Sequence, residues 1–232
     1  MATHANALAV MAKAPVIGQV KTRLLSSFTA KAAAELSRSL LADQLNHLQE
    51  LDTVNNFYLA FAPDDAQWLM EQIAPPCFHL FPQQGDDLGA RMEGVFERLF
   101  QMGHKNIALI GGDLPPVPLS FFAEAYAFLE ASKNRVVLGP SRDGGYYLVG
   151  SNQLTPQIFR GMGWSHSEVL AQTLDRLAAL KIEYHLLPIW FDIDTPDDLR
   201  TLESALDAVL KKAMPNTLSL LRRMGKNNQG RG

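Results

Sequence analysis

Short apolar runs of strand length alternate along this chain with stretches of helical periodicity, and few folds accept that pattern. "ALAVMA", "NNFYLAFA", "CFHLF", "NIALIGG" and "RVVLG" read as buried strands. Between them, residues 29–51 place Leu36, Leu40, Leu41, Leu45 and Leu48 on one helical face, and residues 88–102 do the same with Leu88, Met92, Val95, Phe96 and Leu99. Residues 119–131 are also helical. Strand and helix in turn with short links predict an α/β fold: a mostly parallel sheet flanked by helices. No repeat or low-complexity linker divides the chain, and 232 residues with 47% hydrophobic content suit one domain with an ample core. Ligands of such sheets sit at the carboxyl ends of the strands, so the chemistry is sought there.

Charge and composition exclude several classes. The net charge is −3, but residues 211–232 hold six Lys/Arg and no acid, which leaves 15 basic against 24 acidic residues before them. An acidic body of this kind repels nucleic acid, and no nucleic-acid partner is expected. The basic end reads as a frayed, solvated tail after a domain spanning residues 1–210. No apolar stretch is long enough for a membrane span, and the opening "MATHANALAVMAKAP" lacks a signal pattern, so a cytoplasmic protein without membrane partner is expected. The single cysteine, Cys77, opens an expected buried strand and receives no catalytic role.

The first strand ends in "AKAPVIGQVKTRL", where Lys13, a Pro/Gly loop, Lys21 and Arg23 offer either a phosphate cradle or a solvated basic loop. It is neither a Walker loop nor a dinucleotide fingerprint. "NIALIGGDLPP" delivers Asp113 where the apolar residues stop, as a cap or as a ligand. "LPIWFDIDTPDDLR" adds Asp192 and Asp194 at an expected strand end. Thr195, Pro196 and Asp198 then start a helix with a capping box, which explains Asp197 and Asp198 but not the two preceding acids. "GPSRDGGYYLVG" reads by its local residues first as a hairpin, with a ligand frame carrying Asp143 as the alternative. In "QQGDDLGARM", Asp87 caps a helix or meets a ligand, and Arg91 reaches phosphate, base or solvent.

"AKAPVIGQVKTRL", "GDDLGARM", "LIGGDLPP", "LGPSRDGGYYLVG", "GWSHSEVLAQTL" and "DIDTPDDL" occur in an order that resembles a bacterial family of GT-A-like glycosyltransferases, which includes the arsenosugar-biosynthesis glycosyltransferases. The resemblance runs from about residue 7 to residue 206. That family is similar to the molybdenum-cofactor and phospholactate nucleotidyltransferases of the nucleotide-diphospho-sugar transferase superfamily. The resemblance implies this Rossmann-like fold and a Mg²⁺ or Mn²⁺ cofactor. It also implies a nucleotide-sugar or nucleoside triphosphate donor with a small-molecule acceptor.

By resemblance, Lys13, Lys21, Arg23 and Arg91 bind the nucleotide and Asp113, Asp194 and Asp192 hold the metal, Asp192 being the weakest of the three. Asp113 and Asp143 are the catalytic candidates. The sequence departs from the family at Leu114, where cysteine is frequent, and at "WSHS", where a Thr-Pro pair is common; the second change withholds a role from Ser165 and His166. The expected activity is metal-dependent sugar transfer. The alternatives are nucleotidyl transfer to a small phosphorylated compound and noncatalytic sugar-nucleotide binding.

Overall fold

The computed structural model describes residues 5–54, 56–164 and 166–229, with side chains described as far as residue 224. Ser165 lies outside the described residues. In chain order the elements are β1 (Asn6–Lys13), α1 (Ala30–Leu48), β2 (Asn56–Ala62), α2 (Gln67–Glu71), β3 (Phe78–Pro82), α3 (Leu88–Gln101), β4 (Asn106–Gly111) and α4 (Leu119–Ala131). There follow β5 (Arg135–Pro140), β6 (Tyr146–Ser151), α5 (Val169–Ala179), β7 (Glu183–Leu186), α6 (Pro196–Ala205), α7 (Ala208–Ala213) and α8 (Pro215–Gln229).

One seven-stranded sheet has the order β3-β2-β1-β4-β6-β5-β7. Only β6 runs antiparallel to its neighbours, β4 and β5, as the expected mostly parallel sheet requires. The chain leaves β1 and β4 towards opposite edges of the sheet, which opens a crevice between the loops at their carboxyl ends.

The alternating pattern of β1 is what makes the sheet two-sided. Leu8, Val10 and Ala12 pack with Leu41 and Leu45 of α1 and with Phe122 and Tyr126 of α4. Ala7 and Ala9 face the other way, against Met92, Phe96 and Leu99 of α3 and Leu177 of α5. Burying each such leucine contributes roughly 1.5–3 kcal/mol. The helices start where short polar side chains can satisfy free backbone amides: Thr29 accepts from Ala32 N at 3.2 Å and Asp87 from Ala90 N at 2.8 Å.

Three expectations are corrected. Residues 188–194 do not continue a strand to Asp192 and Asp194: β7 ends at Leu186, one isolated bridge joins Trp190 to Ser141, and Ile193 N donates instead to Asp113 O at 3.1 Å. The basic segment from 211 is not frayed over its described length. Leu210, Met214 and Leu220 bury themselves in a third cluster with Leu36 and Leu40 of α1, and the Asp43 carboxylate accepts from Asn216 N and Thr217 N at the start of α8. Cys77 is exposed, one residue before β3 begins.

Candidate active site

Three loops deliver charged side chains to the carboxyl ends of β1 and β4. The loop after β1 turns at Gly18, whose φ of 81° suits glycine, and reaches Lys21 in a left-handed conformation at φ 50°. A non-glycine residue held there costs on the order of 1 kcal/mol or more and persists only under surrounding constraint. The constraint is visible. Lys21 Nζ lies 2.8 Å from Asp113 Oδ1 and 3.1 Å from Asp194 Oδ1, and its side chain is only 1% exposed. Burial alone would push this ammonium down, but the two carboxylates outweigh it and hold it above the ordinary lysine value.

Asp113 follows Gly111 and Gly112 at the end of β4. Gly112 is required by packing, because a Cβ there would come within 2.7 Å of Ala12 Cβ. Asp194 is positioned by the helix behind it: Asp194 N and Thr195 N donate to Asp198 Oδ2 at 2.9 and 2.7 Å, within the capping box that opens α6. The sequence reading of that box and the site geometry therefore meet at one residue.

Lys13, Lys21, Arg23 and Arg91 line a cleft of about 350 Å³ together with Asp113 and Asp194. Lys13 and Arg23 are exposed, whereas Lys21 turns its charge inward onto the acids. Arg91 Nε donates to Gly85 O at 3.0 Å, which fixes the guanidinium on the wall. A second cleft of about 210 Å³ shares Leu88 and Asp194 with the first and is lined by Asp143, Tyr146, Trp164, His166 and Asp192. A further concavity of about 680 Å³ lies at the opposite, amino end of β4 around Asn106, away from all of these groups.

The hairpin after β5 forms one wall of the second cleft. Asp143 Oδ1 accepts from Gly145 N at 3.0 Å, so the turn chemistry and the exposure of the carboxylate coexist. Gly144, at φ 89°, has Ser167 against it, and a Cβ would collide with the Ser167 carbonyl. Tyr146 lines the cleft while Tyr147 turns away and donates to Pro188 O. Asp87 acts as the cap of α3 and lines neither cleft.

Asp192 makes no ion pair with Lys21 among the described residues; Ser141 Oγ donates to its Oδ2 at 2.8 Å. Burial, reinforced by Asp194 and Asp143 and opposed by Ser141 and Lys21, pushes this carboxyl up to about 6. Ser141 and Gln83, which donates to Ala12 O and Ala60 O and lines the first cleft, were not singled out by sequence. A lone serine after a strand and a lone glutamine before a helix carry no signal of their own; only the register shift at Gly139/Pro140 marks the first.

The donor set bears on the cation the fold implies. Among the described residues no three acidic, His or Cys side chains converge on one point. Two carboxylates do, with an ammonium already between them as a stand-in cation. A Mg²⁺ or Mn²⁺ ion fits a pair of hard oxygens of this kind when substrate phosphates and waters complete its shell.

The profile of a family described as "Uncharacterized protein conserved in bacteria (DUF2064)" matches residues 43–166, just over half of the sequence. The chain belongs to the DUF2064 family. No curated protein sequence matches this DUF2064 member. Among solved structures it is similar to a protein from Desulfovibrio desulfuricans G20 described provisionally as a nucleotide-diphospho-sugar transferase, with a TM-score of 0.87 and 28% identity over 95% of either chain. It is also similar to CMP:2-keto-3-deoxy-manno-octonic acid synthetase in complex with CTP (TM-score 0.55, 10% identity, covering 86% of this chain and 97% of that one). A manganese complex of Rv0371c from Mycobacterium tuberculosis H37Rv matches with a TM-score of 0.52 at 16% identity, covering 86% of this chain and 99% of its own. The last two likenesses are of fold. The DUF2064 chain thus has the nucleotide-diphospho-sugar transferase fold expected from its motifs, and no described helix is long and apolar enough to cross a membrane.

Proposed function

We propose that the protein is a metal-dependent glycosyltransferase that moves a sugar from a nucleoside diphosphate sugar to a small acceptor. The observation that carries this reading is the meeting of three basic side chains, Lys13, Arg23 and Arg91, with the Asp113–Asp194 pair in one cleft at the switch point of the sheet. The similarity to the Desulfovibrio protein supports it, as does the resemblance of six motifs to those of the glycosyltransferase family.

Lys13, Arg23 and Arg91 bind the diphosphate by charge-assisted hydrogen bonds. Asp113 and Asp194 hold the Mg²⁺ or Mn²⁺ ion. When bound, the ion neutralises charge building on the leaving diphosphate. Asp143, exposed on its hairpin, takes the proton of the acceptor hydroxyl as the new bond to the anomeric carbon forms, while the walls of the second cleft frame the acceptor. Asp192 orients the adjacent loop through Ser141.

The fold shared with a CTP-binding synthetase favours a second reading, nucleotidyl transfer to a phosphorylated compound. Phosphorus NMR of reactions with nucleotide sugars and with nucleoside triphosphates separates the two. Release of a nucleoside diphosphate supports sugar transfer, release of pyrophosphate supports nucleotidyl transfer, and binding without either product points to a noncatalytic protein.

A further inference from the structure

Lys21 stands on the same spot that a divalent ion needs. Its Nζ contacts one oxygen of Asp113 and one of Asp194, at 2.8 and 3.1 Å. An ion bound to both oxygens at the short distances typical of Mg²⁺ would sit in the gap the ammonium fills, and two cations do not share it. The ammonium cannot simply withdraw into water: its side chain is almost wholly buried, and its backbone is locked at a left-handed turn whose carbonyl accepts from Leu24 N at 2.9 Å. It does, however, line the cleft that holds Lys13, Arg23 and Arg91, where a phosphate oxygen can take it as a new partner.

We propose, resting on the metal-assisted reading above, that Lys21 is an internal competitor for the cation. It neutralises Asp113 and Asp194 in the nucleotide-free protein and yields the pair to the metal only when phosphate draws its ammonium away. Metal and nucleotide binding are thereby coupled, reciprocally, through one side chain. Lys21 keeps the two acids preassembled yet prevents a lone divalent ion from settling there.

Electron paramagnetic resonance of free Mn²⁺, titrated with MnCl₂ alone, tests this directly. The nucleotide-free wild type should leave Mn²⁺ free. Lys21→Met should bind one Mn²⁺ about tenfold or more tighter, the scale of ordinary coupling between sites, and Lys21→Met combined with Asp113→Asn should lose it. Lys21→Gln replaces the methionine variant if that one melts early. Should neither fold, the wild type decides: Mn²⁺ held without nucleotide and released by Asp113→Asn overturns the proposal, while Mn²⁺ taken up only together with a nucleoside diphosphate supports it. If the wild type takes Mn²⁺ only together with a nucleoside diphosphate and the Lys21 variants gain nothing alone, the competitor role is wrong and the metal-assisted reading stands. If no variant binds Mn²⁺ with or without a nucleoside diphosphate, both are wrong.

Discussion

Lys21 Nζ and Asp113 Oδ1, 92 positions apart in sequence, lie 2.8 Å from one another in a pair of which the lysine end is buried and the aspartate end is 47% exposed. Removing the exposed partner leaves Lys21 with Asp194 alone. Asp113→Ala should therefore cost about 1–2 kcal/mol, less than a fully buried pair because water screens the acid. Urea denaturation measures it, and an unchanged midpoint would show that Asp194 suffices.

Asp192 makes stability depend on pH. Its carboxyl is raised from 3.8 to about 6 in the folded protein, so the folded state holds the proton more tightly than the unfolded one. That contribution is fully present below pH 4 and lost as pH rises through about 6. Asp192→Asn should accordingly stabilise the protein at pH 8 by about 1–3 kcal/mol and make little difference near pH 4. Chemical denaturation of both proteins at the two pH values checks the sign.

Arg23 is exposed on the first cleft and makes no ion pair among the described residues. Replacing it by Ala should leave folding intact and weaken nucleotide binding by about 1.5–3 kcal/mol, the scale of a hydrogen bond to a charged group. Thermal shifts reveal which nucleotide to use, since a ligand at about a hundred times its dissociation constant adds roughly 2.7 kcal/mol. Equal affinity in the folded variant would remove Arg23 from the site.

Gly144 holds the second cleft's hairpin against Ser167 at a positive φ. Gly144→Ala meets both a backbone penalty and a collision, and should destabilise by about 1–3 kcal/mol. If the hairpin frames the acceptor, KM for the acceptor should rise more than KM for the donor; equal changes would assign Gly144 to stability alone.

Strands β1 to β5, helices α1, α3 and α4 and the capping box before α6 were legible because each is a local pattern with a local cause: a short continuous apolar run, period 3.6, and a hydroxyl three residues before an acid. Lys13, Arg23 and Asp113 could be placed near one another because parallel sheets gather their loops at one end, whereas Arg91 and Asp194 joined them through the family resemblance. The partner of Lys21 could not. Its cationic side chain reads as a phosphate ligand until the fold brings in two acids from loops distant in sequence. Asp192 was misplaced for a similar reason, since the bond from Ile193 N to Asp113 O replaces a strand that the apolar run "LPIW" suggested. The basic C-terminal segment hid its buried face behind its charge, although Leu210, Met214 and Leu220 were there to be counted.

Metal-dependent turnover of three single variants tests the account most directly. Asp113→Asn and Asp194→Asn keep shape and remove charge from the two acids that converge on one cation, whereas Asp192 accepts from Ser141 and makes no ion pair with that cation. With the best nucleotide sugar and a titration of Mg²⁺ or Mn²⁺, Asp113→Asn and Asp194→Asn should each abolish release of nucleoside diphosphate, and Asp192→Asn should retain a measurable part of it. Full turnover in a folded Asp113→Asn or Asp194→Asn variant, or loss confined to Asp192→Asn, would contradict the assignment of this site.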